Sequence, residues 1–172
     1  MKLIYTLLLS TIAMPVFAHG PTPQKTDETV ILKVTPELAW KQLSEPCAIK
    51  NWHPDVAGCT SSDQKKRTLT LKNGSKLDEE VDEILPAEMS ISYRIAGEVD
   101  VKALPISSLN GRIKVKAEGA DASVSWLARY YRADTTNEPP VGMDDESAKK
   151  SVNAYIKAGL VGLGNITTSK KQ

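Results

Sequence analysis

From residue 28 to residue 130 the chain repeatedly alternates apolar and polar side chains. Beyond residue 144 the apolar spacing lengthens to that of a helix. Residues 28–34 (ETVILKV) are β-branched and flanked by turn formers, which predicts a strand. Thr35-Pro36-Glu37 then supplies a hydroxyl N-cap, a proline at the first helical position and an acid in the first turn. Leu38, Ala39, Gln42 and Leu43 carry that helix to Pro46, with Trp40 on its flank. A second short helix or turn is expected over 47–52, stopped by Pro54. A loop over 53–58 leads into a strand that ends at 60–62. Residues 66–71 and 76–82 alternate around Asn73-Gly74, a hairpin signal. Residues 89–95 alternate again, as do Ile113, Val115 and Ala117, then Val124, Trp126, Ala128 and Tyr130 before a polar loop at 134–142. Alternation means one wet face and one buried face, hence an antiparallel sheet.

The closing helix is expected from about Asp144-Asp145-Glu146, acids suited to the positive end of a helix dipole. Its stripe is Ala148, Val152, Tyr155, Ile156, Leu160 and Leu163, and Asn165 and the tail TTSKKQ end it. The order is therefore strand, two short helices, a run of antiparallel strands, long helix. A curved sheet of six or seven strands must cover its apolar face, and only the last helix is long enough to do so. The expected class is α+β, with the sheet wrapped on the C-terminal helix and a space left between the two, a container.

The ends add a location. Residues 1–18 (MKLIYTLLLSTIAMPVFA) place one cation, Lys2, before an uncharged apolar run and small residues at a cleavage point after Ala18. That is the layout of a secretory signal peptide, too short to span a bilayer comfortably. The expected division is signal peptide 1–18, flexible leader 19–26, domain 27–165 and polar tail 166–172, in a periplasmic protein with no membrane span after cleavage. Without Lys2 the 22 Lys and Arg become 21, matching the 21 Asp and Glu. A neutral chain without a basic block argues against nucleic acid as a partner. Cys47 and Cys59 both lie in the exported part, where an even count favours a disulfide. Closing so short a loop constrains the unfolded chain by about 3 kcal/mol.

Several motifs in this order resemble the START-like (SRPBCC) superfamily of polyketide cyclases/dehydrases and lipid-transport proteins. They are the opening strand with Thr35-Pro36-Glu37-Leu38-Ala39-Trp40, the turn Asn51-Trp52-His53-Pro54, and Arg67-x-Leu69-x-Leu71 leading to Gly74-x-x-Leu77-x-Glu79-x-Val81. Tyr93-Arg94-Ile95 and Ser125-Trp126 complete the set. The resemblance implies the helix-grip fold. With the signal peptide and the leader His19 to Lys25, it extends to periplasmic MxaD-type proteins. Their implied role is to assist methanol dehydrogenase in meeting its cytochrome c acceptor. The Cys47/Cys59 pair is a departure from the superfamily pattern.

Arg67 and Glu79 share strand parity with Leu69, Leu71, Leu77 and Val81, so both are expected to point inward. A bulged or three-residue loop is expected to set Leu69 opposite Glu79, with Arg67 on the diagonal. An inward charge must be paired or wet. The pair is then a polar floor that orients a ligand, or an ion pair that stiffens the hairpin. Trp52 and His53 sit on the loop that a disulfide would pin, suited to gating or partner contact; otherwise Trp52 caps the core and His53 meets solvent. Tyr93, Trp126 and Tyr130 face inward as cavity lining or as core. After cleavage His19 offers an amine and an imidazole to Cu(II), with His53 the only other histidine. No cofactor is implied. The chain has no nucleophile elbow, HExxH or phosphate loop, which points away from an enzyme.

Three functions are compatible with these residues. One is an accessory interaction protein of methanol oxidation, partnered by methanol dehydrogenase and its cytochrome c. Another is a carrier of a small apolar ligand, and the third a cyclase- or hydrolase-like enzyme. Export makes one outcome definite: N-terminal sequencing of the protein from a periplasmic extract should begin at His19, and a chain that keeps Met1 would refute it.

Overall fold

The computed structural model describes residues 20–169. The expected signal peptide, the cleavage point after Ala18 and His19 lie outside them, as do residues 170–172 of the tail. Seven strands form one antiparallel sheet: β1 (Gln24–Leu32), β2 (Val56–Ser61), β3 (Lys66–Leu71), β4 (Lys76–Leu85), β5 (Ser90–Ile95), β6 (Ile106–Glu118) and β7 (Asp121–Arg132). Their spatial order is β1-β7-β6-β5-β4-β3-β2. Two short helices, α1 (Pro36–Ser44) and α2 (Ile49–Trp52), follow β1, and α3 (Asp145–Ser169) closes the chain. This is the helix-grip architecture expected of the pattern. Irregular pairings in β2 (Val56/Gly58), β4 (Val81/Glu83) and β6 (Ile106/Ser108) supply local bends.

Local chemistry explains most boundaries. Thr35 accepts a hydrogen bond from the Leu38 N–H (3.4 Å), and Pro36 opens α1. Asp144 caps α3 by accepting from the Ser147 N–H (2.7 Å). β1 starts at Gln24, so the flexible leader ends earlier than the expected residue 26. The reason is Thr26, which is buried: its hydroxyl accepts from Tyr130 Oη (2.9 Å) and donates to Asn153 Oδ1 (2.5 Å). A polar stretch is thereby fixed between β7 and α3. β2 likewise starts at Val56, inside the expected 53–58 loop, because Val56 is a core residue. At the other end α3 runs past Asn165, since Ile166 still packs against the core.

The β3–β4 turn corrects the expected register. Leu71 N–H bonds to Ser75 O and Gly74 N–H to Leu71 O (both 2.9 Å), which leaves Lys72, Asn73 and Gly74 as a three-residue loop. Gly74 takes φ +85°, a conformation glycine adopts without strain. The pairing that follows sets Arg67 directly opposite Glu79 and Leu69 opposite Leu77, not Leu69 opposite Glu79.

Inward positions of the strands are buried, among them Leu69, Leu77, Ile113, Val124, Trp126 and Tyr130, and α3 covers them with the expected stripe from Ala148 to Leu163. The approach is close at two glycines. A Cβ at Gly159 would lie 2.7 Å from His53 Cδ2 and 2.8 Å from Trp126 Cζ3. One at Gly162 would lie 1.9 Å from the Trp52 carbonyl oxygen. Glycine inside a helix costs about 1 kcal/mol relative to alanine, so contact must offset it here.

Substitution separates the two effects. Gly162→Ala should lower the melting temperature, because a backbone oxygen cannot swing aside. Gly164→Ala, with its nearest neighbour Leu32 Cδ2 at an ordinary 3.5 Å, should hold or raise stability by up to about 1 kcal/mol. Thermal unfolding of both variants is the check, and equal behaviour would refute the close-approach reading.

Candidate functional site

The segment between β1 and β2 is fastened at its middle. Cys47, between α1 and α2, forms a disulfide with Cys59 of β2 across a Cα–Cα distance of 5.5 Å. One residue earlier, the Pro46 carbonyl accepts from Arg67 NH1 (2.6 Å). The same guanidinium donates through Nε and NH2 to Glu79 Oε2, both at 2.6 Å. The Arg67 and Glu79 side chains are 13% and 3% exposed, so this is a buried ion pair. Burial works against the charge on Arg67, but Glu79 outweighs it and raises the guanidinium pKa further. Removing one partner from such a pair strands a charge and costs about 3–5 kcal/mol.

Beyond the ion pair lies a cluster of rings. Tyr93 lies over Gly111, where a Cβ would come within 2.3 Å of its Cζ, and its hydroxyl accepts from Trp126 Nε1 (2.9 Å). Burial, then the negative charge of Glu79, raises the Tyr93 pKa and keeps the phenol protonated. Trp52 donates its Nε1–H to the Gln42 carbonyl (3.2 Å) and meets Trp126 edge-on at 6.1 Å. Tyr155 of α3 stacks on His53 at 4.1 Å. Its hydroxyl is buried and has no hydrogen-bond partner among the described residues. Burial and the nearby Glu79 raise its pKa well above the ordinary phenol value.

His53 is only 2% exposed, which corrects the solvent position weighed for it from the sequence. Its Nδ1 accepts from the Asp55 N–H (3.2 Å), so Nε2 carries the proton and donates to the Tyr155 carbonyl (3.0 Å). Desolvation lowers its pKa to about 4, against the opposing pull of Asp55 and of the Tyr155 carbonyl. Both ring nitrogens are thus engaged, and neither is turned toward an open site.

His53, Trp126 and Tyr155 pack against one another under α3. Between the α1–α2 segment and the sheet lies a cavity of ≈ 20 Å³ bordered by Ser44, Ile49, Trp52, Gln64, Arg67 and Tyr93. That is room for about one water, whereas small-molecule pockets run to about 300–1,000 Å³. Outside, an open groove of ≈ 350 Å³ runs between Asp55, the Leu71–Asn73 turn, Leu104 and Tyr155. Of the residues singled out from sequence, Trp52, His53, Arg67, Glu79, Tyr93 and Trp126 meet in this region. Tyr130 instead serves the Thr26–Asn153 network. Tyr155 was legible only as part of a helical stripe. Among the described residues no group of three or more His, Cys, Asp or Glu is placed to hold a metal ion. No helix among them is long and apolar enough to cross a membrane.

The sequence profile of the polyketide cyclase / dehydrase and lipid transport family matches residues 23–165. No protein of curated function matches the chain significantly. Several solved structures share the fold. The protein XoxI from Bacillus cereus superposes with a TM-score of 0.70 at 16% identity, over 86% of this chain and 98% of its own. The ZhuI aromatase/cyclase from Streptomyces sp. R1128 gives 0.65 at 14%, over 87% and 93%. A START superfamily protein from Mycobacterium smegmatis gives 0.62 at 16%, over 84% and 97%.

Burial of a neutral imidazole sets a pH dependence. Between about pH 6.5 and 4 the unfolded chain binds a proton at residue 53 that the folded protein refuses. Stability is therefore full above pH 6.5 and falls as pH drops toward 4, by about 3 kcal/mol from this group. Melting temperatures measured across that window should slope for the wild type and flatten in His53→Gln. Parallel curves for the two proteins would contradict the assignment.

Proposed function

The chain belongs to the polyketide cyclase / dehydrase and lipid transport family, and from that premise we propose that it is a non-catalytic accessory protein of the periplasm that acts through its surface. The observation that carries the reading is the interior itself. Where the helix-grip fold offers a container, Trp52, His53, Tyr93, Trp126 and Tyr155 pack against one another, and the cavity beside Trp52 and Tyr93 is ≈ 20 Å³. A protein that transports or transforms a molecule needs an enclosed place for it, and the cavity beside these rings is far below ligand size. The disulfide, set across the segment that borders the cavity, fits long service in an oxidising compartment. Within this reading the protein is an MxaD-type factor that assists the encounter of methanol dehydrogenase with its cytochrome c.

One observation favours a second reading, the carrier of a small apolar ligand. The Tyr155 hydroxyl is buried without a partner among the described residues, and the same residue lines the open groove of ≈ 350 Å³. An unsatisfied buried hydroxyl costs about 1–3 kcal/mol, so an outward swing of this ring relieves part of its own expense. A cyclase- or hydrolase-like activity draws support from the family alone, because the one buried imidazole has both nitrogens committed.

Native mass spectrometry of the periplasmic protein separates the first two. The expected result is the bare mass of the mature disulfide-bonded chain, together with slower methanol-dependent reduction of cytochrome c in a deletion strain. A stoichiometric apolar adduct, or unchanged electron transfer after deletion, would overturn the accessory reading.

A further inference from the structure

We propose that the outer face of the sheet across β4 to β7 docks a protein partner through an acidic patch on that partner. The inference rests on the accessory reading and names the surface it would use. The apolar positions that α1 and α3 cover belong to the opposite, concave side, so the outer face carries no helix. Its charges are sorted by strand. Outward positions of β5, β6 and β7 hold Arg94, Arg112, Lys114, Lys116 and Arg129, and no carboxylate appears there before the turn at Glu118 and Asp121. Outward positions of β4 hold Lys76 at its start and then Asp78, Glu80 and Asp82, with Glu83 after the bulge.

The two halves neutralise each other only along their seam. Arg94 pairs with Glu80 (2.5 Å) and with Asp82, and Lys114 reaches Glu88 at 3.2 Å. Arg112, Lys116 and Arg129 have no carboxylate within ion-pair distance among the described residues; the Arg112 Nε donates to Ser92 Oγ (3.0 Å). Across β7, Arg112 faces Leu127 and Lys116 faces Ser123, while Arg129 stands between Asn110 of β6 and Lys25 of β1. At the seam the surface sinks into a depression of ≈ 510 Å³ whose rim carries Asp82 and Glu83 on one side and Arg112 and Arg129 on the other. Two guanidiniums with free donor edges suit carboxylates in bidentate geometry.

The sorting also selects the class of partner. A nucleic acid or an anionic bilayer carries one sign of charge and would be repelled by the β4 half. A protein whose acidic patch is bordered by basic residues satisfies both halves and is held in one orientation. The mature chain has no net charge to pull a partner in indiscriminately, so this local separation sets the direction of approach.

The test uses the mature protein and, as the probe, a labelled peptide whose glutamate block is flanked by lysines, followed by fluorescence anisotropy at low salt. Arg112→Glu combined with Arg129→Glu should weaken binding about tenfold. Lys149→Glu with Lys150→Glu, on the exposed side of α3, should leave it unchanged. All four positions are at the surface, so both variants should fold. Equal losses in the two variants would overturn the assignment. So would tighter binding to a single-stranded oligonucleotide or to phosphatidylglycerol vesicles than to that peptide, or salt-sensitive dimerisation of the protein itself. Because native mass and methanol-linked electron transfer judge the accessory reading separately, failure here removes the surface and leaves that reading standing.

Discussion

An antiparallel sheet with one apolar face has to bury that face, and here the depth of burial is set by how near α3 can come. Ordinary helix packing keeps axes 8–10 Å apart because side chains stand between them. Gly159 and Gly162 remove two of those side chains where α3 crosses α2 and Trp126. The helix then settles with the Trp52 carbonyl and the His53 ring directly against it. From that closeness follow the burial of His53 and the stacking of Tyr155. The same fold with bulkier residues at these two positions would stand further open.

A closed interior makes the Arg67–Glu79 pair harder to account for as a ligand anchor and easier to account for as a fastening. Buried ion pairs are near break-even in stability against well-packed apolar residues, so net stabilisation is a poor reason for one. What this pair does is geometric. Glu79 fixes the guanidinium opposite it across β3–β4, and the guanidinium then holds the Pro46 carbonyl beside the Cys47–Cys59 link. Two different constraints, one electrostatic and one covalent, thereby act on the same turn between α1 and α2. That turn carries the wall formed by Ile49 and Trp52.

The strands and the covering helix were legible because alternation and helical spacing are properties of neighbouring residues. Arg67 and Glu79 were legible as inward charges for the same reason. Their register was not, because counting residues through a glycine-containing turn requires knowing that Gly74 adopts a positive φ and which residues the loop excludes. His53 failed differently. It stands between a tryptophan and a proline in a segment without periodicity, so nothing local states whether its ring turns in or out. Thr26 and Tyr155 owe their roles to partners 102 or more residues distant, Tyr130 and Asn153 in one case, and the His53 ring in the other. Long-range contacts of single polar atoms leave no pattern in a sequence.

The distribution of polar groups between inside and outside also bears on function. Inside, nearly every polar group is spoken for: His53 by two backbone groups, Trp126 by Tyr93, Arg67 by Glu79 and Pro46. Such satisfaction makes an interior rigid, because any new guest must break a bond before forming one. Outside, Arg112, Lys116 and Arg129 have no carboxylate within ion-pair distance among the described residues, although the chain as a whole holds acids enough to neutralise them. Exposed cations remain solvated at little cost, so leaving them unpaired sacrifices no stability. A molecule whose polar atoms are committed within and uncommitted on one outer face has its freedom to interact on that face.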